Sequence, residues 1–242
     1  MGTAETTRTI RAADMIPGNE GTPALLKLLQ LVSPSLPVGG FTYSQGIEWA
    51  VETGWIHTLA DLEAWLNDQL QTGMVRVDLP LLIRLRAAAA TGDDATLLVW
   101  TDRLLASRET AELRSEESNR GRALADLLVA WGIDGASERR PPLARSQAAD
   151  FGFASAAFGI DPRPAAAGYA WSWLENLVLA AVKIVPLGQT QGQQALARLA
   201  ARIPSALDRA LTLSDEEIGT SNPALAIASS AHETQYTRLF RS

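Results

Sequence analysis

The sequence predicts an all-α fold, a single-domain bundle of about ten helices, and three observations carry that expectation. The hydrophobic 47% of its 242 residues is dominated by Ala and Leu, not by the β-branched and aromatic types that favour strands. Apolar residues recur at spacings of three and four, and no segment alternates convincingly. Caps and breakers divide the chain into pieces joined by short loops, as antiparallel helices require.

Taken in order, residues 1–21 have no periodicity and read as a loose tail. Thr22 supplies an N-cap hydroxyl and Pro23 a first helical position, opening a short helix from Ala24 to Leu31 with Leu25, Leu28, Leu29 and Val32 on one face. Ser33 to Phe41, SPSLPVGGF, concentrates Pro and Gly into a loop of prescribed shape. Helix resumes at Tyr43 and closes at Gly54. Thr58 and Asp61 form a capping box for a helix with Leu59, Leu62, Trp65, Leu66 and Leu70 on one stripe. Asp78 and Pro80 restart a helix that ends before Gly92, and Asp93 opens another carrying Leu97, Leu98, Trp100, Leu104 and Leu105.

Arg108 to Trp131 is helical, charged in its first half and closed by Gly132, and Gly135 to Pro142 is the best candidate for a long loop. Ser146 to Phe158 forms a helix ending at Gly159. Asp161 and Pro162 cap a central helix, Arg163 to Val185, in which Trp173, Leu177, Ala180 and Ile184 face a core. Pro186-Leu187-Gly188 breaks it. A helix from Gln189 to Ile203 follows, continued from Pro204. Asn222 and Pro223 cap the last helix, which runs to Thr237. The domain therefore spans residues 22–237, and residues 238–242 form a C-terminal tail.

Composition excludes several kinds of chemistry. With no Cys there is no disulfide, thiolate metal site or Cys nucleophile. A net charge of −6 argues against nucleic acid, and no apolar run approaches a membrane span. Without a signal-peptide core the chain reads as cytoplasmic. Gly2 and Thr6 match a myristoylation pattern that recurs by chance. No phosphate loop, paired zinc histidines, Glu-x-x-His repeat or nucleophile elbow occurs. Two catalytic or metal readings remain open: carboxylates Glu48, Glu52, Glu112 and Glu116 converging in a pocket, or His57 and His232 carrying a metal ion directly.

Three segments carry more specification than packing alone needs. Leu36 to Ala50 combines Pro37, Gly39 and Gly40, which permit special backbone angles, with Phe41 and Tyr43 as a hydrophobic anchor. It is either a stapling turn or a rigid surface for a partner. Ser107 to Ser118 offers the four-apart pairs Arg108–Glu112 and Glu116–Arg120, which suit a solvated face or an interface equally. His232 to Ser242 stays amphipathic to its end, with Leu239 and Phe240 between Arg238 and Arg241. Burial of each apolar side chain is worth roughly 1.5–3 kcal/mol, enough to order the segment on another surface.

The stretches LPVGGFTYSQGIEWAVETGWI, RETAELRSEESNRGRAL, KIVPLGQTQGQ and SSAHETQYTRLFRS, in that order, resemble the urease accessory protein UreF family from about Leu25 to Ser242. The resemblance implies a dimeric, all-α chaperone without catalysis or cofactor of its own. It implies binding of the accessory protein UreD/UreH, recruitment or modulation of the GTPase UreG (which holds the GTP), and docking on apo-urease for nickel delivery. It also implies that the C-terminal tail orders on the UreD/UreH partner, placing Glu233, Tyr236, Arg238, Leu239, Phe240 and Arg241 at that surface. Lys183, Gln189 and Gln193 are implied as a second partner patch, with Phe41, Tyr43, Gln45 and Glu48 contributed by the loop. Gln45, Glu48 and Gln189 are the polar groups available to line a nickel route. Gly40 stands where the family more often has Ala, a change expected to loosen the loop.

Overall fold

In this computed structural model, residues 21–220 and 222–241 are described; the expected tail at residues 1–20 and the Gly2–Thr6 pattern lie outside them. Twelve α-helices and no strand occur among the described residues. Helix α1 (Thr22–Val32) is followed by a 3₁₀ turn (Gly40–Thr42), α2 (Ile47–Glu52), α3 (Leu59–Gln69), a π-helical stretch (Leu70–Asp78), α4 (Leu79–Thr91) and α5 (Asp94–Ala106). Then come α6 (Ala111–Ala130), α7 (Ala136–Leu143), α8 (Gln147–Ala157), α9 (Pro162–Ile184), α10 (Gln189–Ala200), α11 (Ile203–Thr212) and α12 (Pro223–His232). The all-α single-domain expectation holds.

The centre is shared by α4, α8 and α9. Helix α4 buries Leu79, Leu81, Leu82, Leu85, Ala88 and Ala89, and its main neighbour is α8, buried continuously from Gln147 to Ser155. Small residues make that closeness possible. A Cβ on Gly152 would stand 3.0 Å from the Arg86 nitrogen, and one on Gly121 of α6 would stand 2.7 Å from the Ser146 nitrogen. Helices α1, α10 and α11 pack around α9, while α12 lies on α2 and α6.

Several local expectations are corrected. Gly21, not Thr22, occupies the N-cap of α1, and the helix is rotated so that Leu28 and Leu31 face inward while Leu25 and Leu29 face out. The chain from Tyr43 to Gly46 is not helical: Gln45 and Gly46 both adopt positive φ, delaying α2 to Ile47. Asp78 and Pro80 do not restart a helix, because α3, the π stretch and α4 form one unbroken column. Pro80 has no N–H for the Arg76 carbonyl four residues back, and the Gly219 N–H takes that carbonyl at 2.9 Å instead.

The supposed loop from Gly135 to Pro142 contains α7. Its prolines fall late in the helix, and the carbonyls they leave without donors belong to the exposed Ser137 and Glu138, within reach of water. Helix α12 ends at His232, five residues short of Thr237. By contrast, the Thr58–Asp61 capping box forms as expected.

Candidate functional site

Glycine and proline build the loop beneath the site. Leu36 and Val38 anchor it in the core; Gly39, at φ +72°, allows the 3₁₀ turn whose Thr42 hydroxyl donates back to the Gly39 carbonyl at 2.8 Å. Gly40 is not left-handed. It fits because a Cβ there would lie 3.1 Å from the Asn176 side chain, so this glycine relieves crowding. The turn presents Phe41 to solvent at 56% exposure and sends Tyr43 inward, where its hydroxyl accepts a 3.4 Å hydrogen bond from Asn119. Tyr43 therefore holds the loop from inside and offers no surface to a partner.

Gln45 is strained and tied. Its φ of +49° is sustained by two side-chain bonds, one accepted from the Trp173 indole N–H at 3.0 Å and one donated to Glu116 at 3.1 Å. Glu48, in the first turn of α2, is buried. Its Oε1 accepts the Leu239 N–H at 2.6 Å, and its Oε2 accepts the Phe240 N–H at 2.9 Å and lies 3.1 Å from His232 Nε2.

These contacts seat residues 233–241 on the body of the chain. Glu233 accepts the Ala111 and Glu112 N–H groups at 2.9 and 3.2 Å, placing a carboxylate on the positive end of α6. Arg238 pairs with Glu112 at 2.7 Å, and the Arg241 N–H donates to the Thr42 carbonyl at 2.8 Å. Phe240 is buried at 5% exposure, whereas Leu239 at 64% and Tyr236 point outward. Lys183 lies 5.6 Å over the Phe240 ring and 5.9 Å over Phe41. The structure thus brings Phe41, Lys183, Arg238, Leu239 and Arg241 to the seated tail and its turn, with Tyr236 fully exposed on the same segment: apolar tips among cations, on a chain of net charge −6. Gln189 and Gln193 are exposed on α10, and Gln189 joins neither Gln45 nor Glu48 in a common lining.

His232 and Glu112 are the residues that sequence reasoning missed here. The sequence reads His232 as a metal candidate, and Glu112 as an acid–base candidate or an ion-pair partner of Arg108. His232 is fully buried, with Nδ1 2.7 Å from Glu112 and Nε2 3.1 Å from Glu48. Both ring nitrogens are engaged, and His57 is exposed in a separate segment before α3. Among the described residues no group of three or more His, Asp or Glu is placed to hold a metal ion. Of the four carboxylates weighed for catalysis, Glu48 and Glu112 do converge, but on His232 and the tail. Glu52 accepts from Gln235, and Glu116 from Arg120 and Gln45.

A second polar cluster lies deeper. Arg108 bridges Asp78 at 2.5 Å and Glu117 at 2.8 Å, in place of the expected pairing with Glu112; the Glu116–Arg120 pair forms as expected, at 2.9 Å. Burial raises the Asp78 carboxyl despite Arg108. At Glu117 burial is outweighed by Arg108, the Ser146 hydroxyl and the Ala148 N–H, and the carboxyl is lowered. The extra donors place the firmer negative charge on Glu117. Beside this cluster is a cavity of about 80 Å³ lined by Gln45, Gln69, Asp78, Arg120 and Trp173, where Gln69 Nε2 and Arg120 Nε have no protein partner.

No helix among the described residues is long and apolar enough to cross a membrane. The UreF family model matches residues 56–200. The chain is similar to proteins named urease accessory protein UreF from Alcanivorax borkumensis (49% identical over 225 residues, covering 90% of this chain and 98% of that one) and Pseudomonas entomophila (50% over 219 residues, 90% and 98%). The protein of that name from Escherichia coli O157:H7 is 46% identical over 217 residues, covering 90% and 97%. With a helical body, side chains committed to structural contacts and this likeness over nine-tenths of its length, the chain belongs to the UreF family of urease accessory proteins, which are not enzymes.

Proposed function

We propose that this chain is a docking scaffold in urease maturation, and that the face built by the 3₁₀ turn and residues 233–241 binds the UreD/UreH accessory protein. The observation that carries this reading is the exposure of Phe41, Tyr236 and Leu239 beside Lys183, Arg238 and Arg241. Contiguous apolar tips rimmed by charge suit an interface better than free solvent. Glu48 and Phe240 lie beneath that face and hold it. In this reading the tail is seated in the single chain and the partner stabilises it there, consistent with a segment whose anchorage rests on few buried side chains.

The scaffold, working as a cytoplasmic homodimer, then recruits the GTPase UreG and docks on apo-urease. Nickel is cargo of the assembly. Passage through the interior of this chain draws no support from Gln45, Glu48 and Gln189, which stand apart, with Glu48 saturated by protein donors.

Co-expression with the other urease accessory proteins tests the reading. Removing residues 238–242, or introducing Leu239→Asp with Tyr236→Ala, is expected to abolish co-purification of UreD/UreH and urease activation while leaving the helical content intact. Retention of the complex and of active urease by both variants refutes it.

A further inference from the structure

His232, Glu112, Glu48 and Arg238 form a closed circuit. It leaves the C-terminal segment at the Arg238 guanidinium, 2.7 Å from Glu112 Oε1. It passes from Glu112 Oε2 to His232 Nδ1 at 2.7 Å, and from His232 Nε2 to Glu48 Oε2 at 3.1 Å. It returns to the segment through the two consecutive N–H groups of Leu239 and Phe240 on the Glu48 carboxylate. We propose that His232 is the positioning residue of the docking face: it fixes the Glu48 carboxylate where both oxygens can receive the tail. The functional value of this device rests on the docking reading above; its operation does not.

The reasoning is one of hydrogen counting and charge. A neutral imidazole has one donor and one acceptor nitrogen, yet both nitrogens of His232 face carboxylate oxygens. Both contacts are hydrogen bonds when the ring holds two protons. Two cations, His232 and Arg238, then balance two carboxylates in a site where His232 has no exposure to solvent. Charge-assisted bonds of this kind are roughly twice as strong as neutral ones.

Removing the ring withdraws the group that holds Glu48 from behind. Glu48 is then freed to turn from the tail, and the segment loosens.

The surrounding charges do not substitute for the ring. On α2, Glu52 is held by Gln235; at the start of α6, Glu233 is spent on the Ala111 and Glu112 N–H groups. On α9, Lys183 lies over the Phe240 and Phe41 rings. Glu109, before α6, accepts the Asn222 N–H at 3.3 Å.

Amide hydrogen exchange on the full chain tests this. Protection of the Leu239 and Phe240 amides, corrected for intrinsic exchange and referred to amides inside α9, is expected to fall about tenfold or more in His232→Gln relative to the parent chain, while the α9 amides keep their protection. If His232→Gln fails to fold, Glu112→Gln, which removes the carboxylate facing Nδ1, is expected to lower tail protection in the same direction. Full protection in whichever variant folds overturns the proposal. The two readings separate cleanly. If deleting residues 238–242 leaves UreD/UreH binding intact while His232→Gln frees the amides, the docking face is misassigned and the clamp stands; the converse pair of results removes the clamp alone.

Discussion

At the scale of single residues, Asp150 is the most costly side chain in the protein. It is fully buried near the start of α8, and neither carboxylate oxygen has a protein partner. Burial pushes its carboxyl well above the usual range; Glu117 and Asp126 push further, and Arg140 partly relieves it. A carboxyl raised in the folded state binds its proton more tightly there. Its contribution to stability is therefore complete below the unfolded value, about 3.9, and is lost as the pH climbs through the folded one. Asp150→Ala is expected to stabilise the protein at pH 7 by about 1–3 kcal/mol, the cost of an unsatisfied buried polar group. In urea unfolding the gain should shrink as the pH is lowered toward about 4. Arg108 behaves oppositely. Arg108→Met strands the Asp78 and Glu117 carboxylates, and the same measurement should show a loss of about 3–5 kcal/mol. Sequence alone could not rank these residues, because a charge that meets water and a charge that meets a buried guanidinium look alike in one dimension.

At the scale of elements, local chemistry was legible wherever it was self-contained. The Thr58–Asp61 box, the Asp93 and Asn222 caps and the leucine stripe of α3 all depend on neighbours within four residues. The π-helical stretch was not legible, since the carbonyl freed by Pro80 is satisfied by Gly219, far along the chain. Helix α7 was hidden for a related reason: its two prolines looked like a break, yet they come late enough that only exposed carbonyls lose donors. The face that gathers the tail was half legible. Its apolar tips could be named, but the inward turn of Tyr43 depends on a contact 76 residues away, and the role of His232 on contacts across more than a hundred. Close crossing of α6 over α8 yields a further prediction. Gly121→Ala would gain about 1 kcal/mol from helix propensity on an exposed helix. Here the new Cβ meets backbone at 2.7–2.8 Å, so a net loss of about 1–3 kcal/mol is expected in thermal melts. A melting temperature at or above that of the parent would show that the helices can part without penalty.

For the whole molecule, the continuous core runs from α1 to Ile218, and Phe240 is buried outside it. Body and tail should therefore respond separately. Removing residues 238–242 is expected to cost about 1.5–3 kcal/mol, the worth of one buried phenylalanine, with the far-ultraviolet dichroism of the helices nearly unchanged; wholesale loss of helix would show the tail to be part of the core. The bundle itself was legible because apolar periodicity survives without knowledge of partners. Its centre was misjudged, since α4 and α8 share with α9 a position that one stripe of leucines could not reveal. The Arg241 N–H bonded to the Thr42 carbonyl has a practical corollary for anyone handling the protein. An affinity handle or fluorescent fusion grafted just beyond that bond would emerge beside Phe41 and crowd the exposed tips. Pull-down experiments are therefore best controlled with an unlabelled C-terminus, so that the label does not imitate the phenotype of a weakened interface.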